Sequence, residues 1–307
     1  MESTVSPAGR FLAPHRGEGC GVTITRGPSG PGPVQPDGTA ARPAERTVAE
    51  PRPGGISHAV AARFGGRHPY RAYAVTTLAG WALLAMITAL VALLVTKVLL
   101  EIGAVADADE WLPRNLADHR RGWLTDASDI GSRIGDVPVI PALVFLTLVA
   151  GAVARRMRIG VVILTAIVIE LTLYRLGALV GPRERPDVPR LDDLPVDESF
   201  PSGHVAASTV VYAGLALIIS SWARRRWVTV TCWTVAVVLI AVVATSRMYR
   251  GMHHPLDALG GLLLGIGCLA VALVAVRVYG IVAERRETAR ATARDAGPVA
   301  AHREGRA

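Results

Sequence analysis

Lysine is almost absent from this chain: Lys97 is the single one, and arginine carries nearly all of the positive charge. Cysteine is scarce as well. Cys20 lies in a polar stretch and Cys232 and Cys268 lie inside apolar runs, a placement that gives neither a disulfide framework nor metal-ligand spacing. Aromatic residues make up 5% of the sequence, and the arginines cluster at the ends of apolar runs rather than among aromatics on one basic surface. The formal charge of +8 therefore does not indicate a nucleic-acid partner. No apolar stretch follows the start, and the first comes some 70 residues in, so no cleaved signal peptide is expected. No internal repeat is present.

Apolar residues are abundant, at 51% of the chain, and they fall in long blocks. Runs of about 18 or more such residues can cross a hydrocarbon core of about 30 Å as helix. Six candidates lie near 73–100, 138–154, 159–180, 204–222, 227–245 and 256–280, the second being short and containing Pro141. The expected fold is all-α, a six-span transmembrane helical bundle, with the lipid bilayer as its immediate partner. Residues 1–65, rich in Gly, Pro, Ser and Arg, read as a disordered tail. Residues 66–282 form the membrane domain, and 283–307 form a charged C-terminal tail that extends the last helix briefly.

Arginines orient the bundle. Arg155, Arg156 and Arg158 lie between the second and third spans, and Arg224, Arg225 and Arg226 between the fourth and fifth. The positive-inside rule puts both loops in the cytoplasm. Arg63, Arg67 and Arg71 before the first span, and Arg277, Arg285 and Arg286 near the end of the last, put both termini there too. The remaining loops, about 101–137, 181–203 and 246–255, then face outward. The first carries eight acids against four arginines, with Trp111, Leu112, Leu116, Trp123 and Leu124 suited to an interface. An interfacial helix and an ordinary loop with a few anchors fit it equally well, and it is assigned no chemistry.

The other two outer loops read GPRERPDVPRLDDLPVDESFPSGH and SRMYRGMHHPLD. They gather arginines, histidines, an aspartate and a Ser-Gly pair at span ends on one side of the membrane, which marks a functional site. These groups suit phosphoryl transfer. Arginine forks match the equatorial oxygens of a phosphoryl group, and Arg183, Arg185 and Arg247 supply them. Ser202 stands as N-cap of the fourth span, and Gly203 lets a ligand approach the backbone. His253 and Asp257 are four residues apart, a separation at which the carboxylate can reach a ring nitrogen and fix the tautomer, leaving the other nitrogen to attack phosphorus. His204 is placed to protonate the leaving oxygen and then activate water.

Arg-Pro at 185–186, PSGH at 201–204 and SRMYRGMHHPLD at 246–257 together resemble the type 2 phosphatidic acid phosphatase superfamily. The resemblance implies a metal-independent membrane phosphatase of lipid phosphates or isoprenoid diphosphates, such as undecaprenyl diphosphate, with a phosphohistidine intermediate and no cofactor. It implies His253 as nucleophile, Asp257 as its orienter and His204 as acid and base. Arg185, Ser202, Gly203 and Arg247 would hold phosphate, and His254 has no role by position. The arginine-rich, lysine-poor usage suggests a high-GC bacterium and so the plasma membrane, and the arginine loops put the site on its extracytoplasmic side.

One departure stands out. The family's first motif begins with a lysine seven positions before the Arg of Arg-Pro, where this chain has Ala178. Arg175 or Arg183 is expected to take over the phosphate contact; otherwise the activity is weakened or lost. Glu170 and Tyr174 share a helical face with each other, and a structural cluster around Glu170, Tyr174 and Arg175 is as compatible with the pattern as a catalytic one. The acids at 192, 193, 197 and 198 read as a solvated loop. The alternative function is a non-catalytic phospholipid binder or carrier that lost turnover with the lysine.

Overall fold

The computed structural model describes Ala49 and residues 54–66, 68–193 and 198–304, with side chains up to 294. Ten α-helices run through the described residues: α1 (Ile56–Ala62), α2 (Pro69–Leu94), α3 (Gly103–Asp118), α4 (Gly122–Ile134), α5 (Val139–Val153), α6 (Met157–Val180), α7 (Gly203–Ser208), α8 (Gly214–Trp222), α9 (Arg226–Tyr249) and α10 (Pro255–Glu304). A π-helical turn, Val95–Leu99, extends α2, and another, Thr209–Ala213, joins α7 to α8 in one span. No strand occurs among the described residues, only an isolated bridge between Arg183 and Glu198.

Six of these stretches are long and apolar enough to cross a membrane, so the fold is the expected six-span helical bundle. Their burial is unequal. In α6 and in the α7–α8 span 56% of the apolar window is buried, against 11% in α9, so the first two form the centre and α9 turns most of its valines to lipid. α10 is the other central helix, and it packs along α2, α6 and α7. Its glycines permit the approach to α7: a Cβ on Gly261 would come within 2.3 Å of the Ser202 carbonyl oxygen, and one on Gly265 within 2.7 Å of that of Ala206. This contact brings the start of α10 beside the start of α7, which positions the site.

α5 has 15 residues and so a length of about 22 Å, short of a full crossing by itself. The chain before it is not a plain loop. Residues 101–137, left between helix and loop by sequence, form α3 and α4, and α4 packs on α9 at the end of the bundle where the two motif loops lie. In α3 Asp109, Leu112, Pro113 and Leu116 turn inward while Trp111 is exposed, a helical period in which one acid shares the apolar face.

The segment expected to lack order, 1–65, ends in a helix. In α1 Ala61 packs against Val278 and Val282 of α10, a face too short to show a period in the sequence. Apart from Ala49, the residues before 54 lie outside those described. The last helix runs much further than expected, to Glu304.

Candidate active site

The site is built from the N-terminus of α10 outward. His254 is the N-cap residue, Pro255 fills N1, where a missing N–H costs nothing, and Asp257 stands at N3. From there the Asp257 carboxylate reaches back 2.8 Å to the His254 backbone N–H, the reciprocal half of a capping box. The same carboxylate accepts from Arg183 Nη1 at 2.6 Å and from the Ser199 hydroxyl at 2.6 Å, and His254 Nδ1 lies 3.2 Å away. Asp257 is completely buried, with Arg183 on Oδ1 and Ser199 and His254 on Oδ2.

His253 is turned away from this carboxylate. Its Nδ1 is 3.8 Å from Asp257 Oδ2 and 2.9 Å from the Ser199 carbonyl oxygen. A carbonyl can only accept, so Nδ1 carries the proton and Nε2 keeps its lone pair. The expected direct bond from Asp257 to His253 is thus replaced by an indirect one. Asp257 fixes Ser199 through its hydroxyl, and Ser199 fixes the ring through its carbonyl. Burial pushes His253 down to about 4; the positive charges of Arg247 and Arg185 add to that, and the Asp257 carboxylate opposes it.

His204, the second residue of α7, has Nε2 3.5 Å from Asp136 Oδ1. Ser202 occupies the N-cap position as expected, yet its hydroxyl makes no capping bond, is fully buried and has no partner among the described residues, while its N–H donates to the Asp257 carbonyl at 2.9 Å. Gly203 lies against the Tyr174 ring, 3.3 Å from where a Cβ would stand.

Arg247, in the last turn of α9, donates through Nη1 to Asp192 at 2.7 Å and to Ser132 of α4 at 2.9 Å. Its Nε and Nη2 are buried with no partner among the described residues. Arg250 grips the same Asp192 and also reaches Ser128 of α4. Burial would raise Asp192, but hydrogen bonds from Arg250 and Arg247 and their charges hold it below the usual carboxylate range. Asp192, expected to be a solvated loop acid, is therefore part of the arginine scaffold; Asp193 makes no such bond, and 197 lies outside the described residues.

The arginines expected on phosphate divide into two groups. Arg185 lines the cavity, its guanidinium fixed by the carbonyls of Met252 at 2.5 Å and Glu198 at 3.1 Å. Arg175 lines it too, lying over the Tyr174 ring at 5.2 Å and paired with Glu198 at 3.3 Å. Arg183 does not. It is buried between Asp257 and Asp109, with one Nη on each, and both ends of its fork are spent on carboxylates. Ala178, at the position of the missing lysine, is buried in α6.

Asp109 and its neighbour Glu110 belong to α3 and were not expected in the site at all. Asp109 also accepts from the Leu256 N–H at 2.8 Å, so α3 caps α10 from outside the bundle. Glu110 receives His254 Nε2 at 2.8 Å and the Asp187 N–H at 3.0 Å. His254, without a role by motif, thereby ties Asp257 to α3.

One cavity of about 540 Å³ connects these groups to the bundle's apolar side. Its polar end holds His253, His204, Arg185, Asp136 and Arg175. Its other end runs between α5 and α6 past Val144, Phe145, Leu148, Ile167 and Leu171, with Glu170 among them. No group of His, Cys, Asp or Glu arranged to hold a metal ion occurs among the described residues.

A polar chamber opening into an apolar groove between membrane helices defines the class, a multi-pass membrane protein with a mixed polar and apolar cavity. Comparison with known proteins narrows this class. The sequence profile of the PAP2 superfamily matches residues 159–280. YbjG of Escherichia coli, provisionally named an undecaprenyl-diphosphatase, is 36% identical over 146 residues, covering 45% of this chain and 67% of that protein. The undecaprenyl-diphosphatase of Sulfolobus acidocaldarius is 31% identical over 116 residues, 36% of this chain and 52% of that one. The crystal structure of a PAP2-type phosphatidylglycerolphosphate phosphatase from Bacillus subtilis superposes with a TM-score of 0.52 at 22% identity, over 64% of this chain and 92% of that one, a likeness of fold. The chain belongs to the PAP2 superfamily, and it is a membrane phosphatase.

Proposed function

We propose that this phosphatase removes phosphate from a lipid phosphate or isoprenoid diphosphate without a metal, through a phosphohistidine on His253. The observation that carries this reading is the His253 ring: its Nδ1 is committed to the Ser199 carbonyl, and it lines the polar end of a cavity together with His204 and Arg185. His253 Nε2 forms the bond to phosphorus as the bond to the leaving oxygen breaks, and His204 gives that oxygen its proton. His204 then takes a proton from water, whose oxygen attacks phosphorus, and inorganic phosphate leaves as the phosphorus–nitrogen bond breaks. Arg185, which lines the cavity, holds the phosphoryl oxygens, and the donors of Arg247 (Nε and Nη2) and of the Ser202 hydroxyl, buried and without a partner among the described residues, join it. Arg175 is the cation at the cavity wall that takes the place of the lysine; Arg183 serves elsewhere. The names of relatives point to undecaprenyl diphosphate as one substrate to test.

The test is phosphate release from phosphatidate, phosphatidylglycerol phosphate and polyprenyl diphosphate by purified protein in excess chelator. Full activity under chelation supports the mechanism, and strict dependence on added magnesium sinks it. Binding without release would favour the carrier. The pH profile is a second check. His253 attacks when neutral and titrates near 4, so it stays competent at mildly acid pH. The acid limb of kcat/KM that belongs to His253 falls near 4 and not near the usual 6.5. The same depressed value makes stability highest above about 6.5 and lets it fall as pH drops toward 4, because the unfolded chain then binds a proton that the buried ring refuses.

We further propose that both termini lie in the cytoplasm and that the site faces outward, the reading supported by the arginines between α5 and α6 and between α8 and α9. In a background with the three natural cysteines replaced by serine, Glu184→Cys reacts with an impermeant thiol reagent on intact cells and Arg225→Cys does not. The reverse pattern overturns this orientation.

A further inference from the structure

Glu170 is the one acid in the apolar half of the cavity. It lies in α6, is 1% exposed, and its Oε2 has no hydrogen-bond partner among the described residues. The cavity walls around it, Val144, Phe145, Leu148, Ile167 and Leu171, are apolar, and the Tyr174 and Cys268 side chains are near enough to feel its charge without satisfying Oε2. An acid buried at membrane depth with a carboxyl oxygen left without a partner is expensive to retain and marks a binding function.

Its depth says what it would bind. Tyr174, one helical turn further out, meets Gly203 beside the catalytic histidine His204. Four residues of α-helix separate Glu170 from Tyr174, so Glu170 lies about 6 Å below the phosphate chamber. A tail entering the groove therefore passes Glu170 a few bonds after the scissile phosphate. In a prenyl monophosphate that position is hydrocarbon, which strips water from the carboxyl and gives no bond in return. In a phospholipid with a substituted backbone the same position holds an ester carbonyl, a hydroxyl or an amine.

Resting on the phosphatase reading above, we propose that Glu170 is a specificity-determining residue that hydrogen-bonds the polar backbone of the lipid, so that among monophosphates the enzyme prefers glycerol- or sphingoid-type lipids over prenyl ones. The bond forms in the bound lipid and in the transition state alike, so its loss appears in KM more than in kcat.

The experiment compares kcat/KM for diacylglycerol phosphate, its dialkyl ether analogue, a sphingoid-base phosphate and a polyprenyl monophosphate, with wild type, Glu170→Leu and Glu170→Gln. Wild type is expected to favour a lipid with a polar backbone over the prenyl phosphate. Glu170→Leu lowers kcat/KM for the favoured lipid about tenfold or more, chiefly through KM, and leaves or raises that for polyprenyl phosphate. Glu170→Gln, which keeps a hydrogen-bonding head, stays close to wild type. The ether and sphingoid arms tell an ester carbonyl from a hydroxyl or amine as the group bound. Two results overturn the proposal with the phosphatase intact: a wild type that prefers polyprenyl phosphate, whatever the variants do, or a Glu170→Leu that changes all substrates equally. Absence of release from every substrate by the wild type removes the phosphatase reading, and this inference with it.

Discussion

His253→Ala stops phosphate release, with turnover lower by about 10⁴-fold or more, the scale of loss when a nucleophile is removed and only binding and charge stabilisation remain. Loss of turnover alone would also follow from a misplaced site, so the decisive measurement is the phosphoenzyme. With substrate labelled in its terminal phosphate, protein quenched in alkali should carry label that acid releases, and His253→Ala should carry none. His204→Ala gives the opposite signature. Its lost proton donor slows attack least for a diphosphate, whose leaving group is itself a phosphate, while hydrolysis still lacks its base. Label on His253 therefore accumulates in His204→Ala although phosphate release falls. Label in His253→Ala, or turnover there at more than a few percent of wild type, would show that another group attacks phosphorus.

The placing of the two histidines and Asp257 at one end of the bundle was legible because their constraint is local. A span end fixes where water meets lipid, and four residues of chain bring a carboxylate near a ring. The places of Arg247 and Arg185 were legible on the same ground, since the first stands at the end of a span and the second is the arginine of Arg-Pro. The partners that hold these groups were not legible. Arg183 was expected to face phosphate, but 74 residues separate it from Asp109 and 74 from Asp257, and no local pattern announces either pairing. α3 did contain a signal: Asp109 is in register with Leu112 and Leu116 on the inward face, and an acid on an apolar stripe asks for a buried partner. Asp192 looked like any acid of a charged loop, because the feature that distinguishes it is the convergence of Arg247 and Arg250 upon it. The groove between α5 and α6 was hidden for a different reason. Its walls are residues that an apolar run would contain in any case, and only the packing separates those that line a cavity from those that touch lipid.

Arg183→Ala is expected to damage the protein more than Arg175→Ala, although both arginines stand near the missing lysine's place. Arg183 is buried between two carboxylates that are themselves 3% and 0% exposed, so its removal leaves two acids facing each other with no cation. Breaking a buried ion pair on one side typically costs about 3–5 kcal/mol. Here the loss also reaches the chemistry: Asp257 holds Ser199, Ser199 holds the His253 ring, and Asp109 caps α10 at Leu256. Lower thermal stability and a fall in kcat should therefore appear together. Arg175 is exposed and its pair with Glu198 is half solvated, so Arg175→Ala should leave stability within about 1 kcal/mol of wild type and act mainly through KM. Adding Asp109→Asn to Arg183→Ala removes one of the orphaned charges, and the double variant should be more stable than the single one, a coupling that independent sites would not show. Additive losses would mean that Arg183 and Asp109 do not act as a pair. An Arg183→Ala protein with normal stability and only a raised KM would return Arg183 to the phosphate, where its place in the sequence first put it.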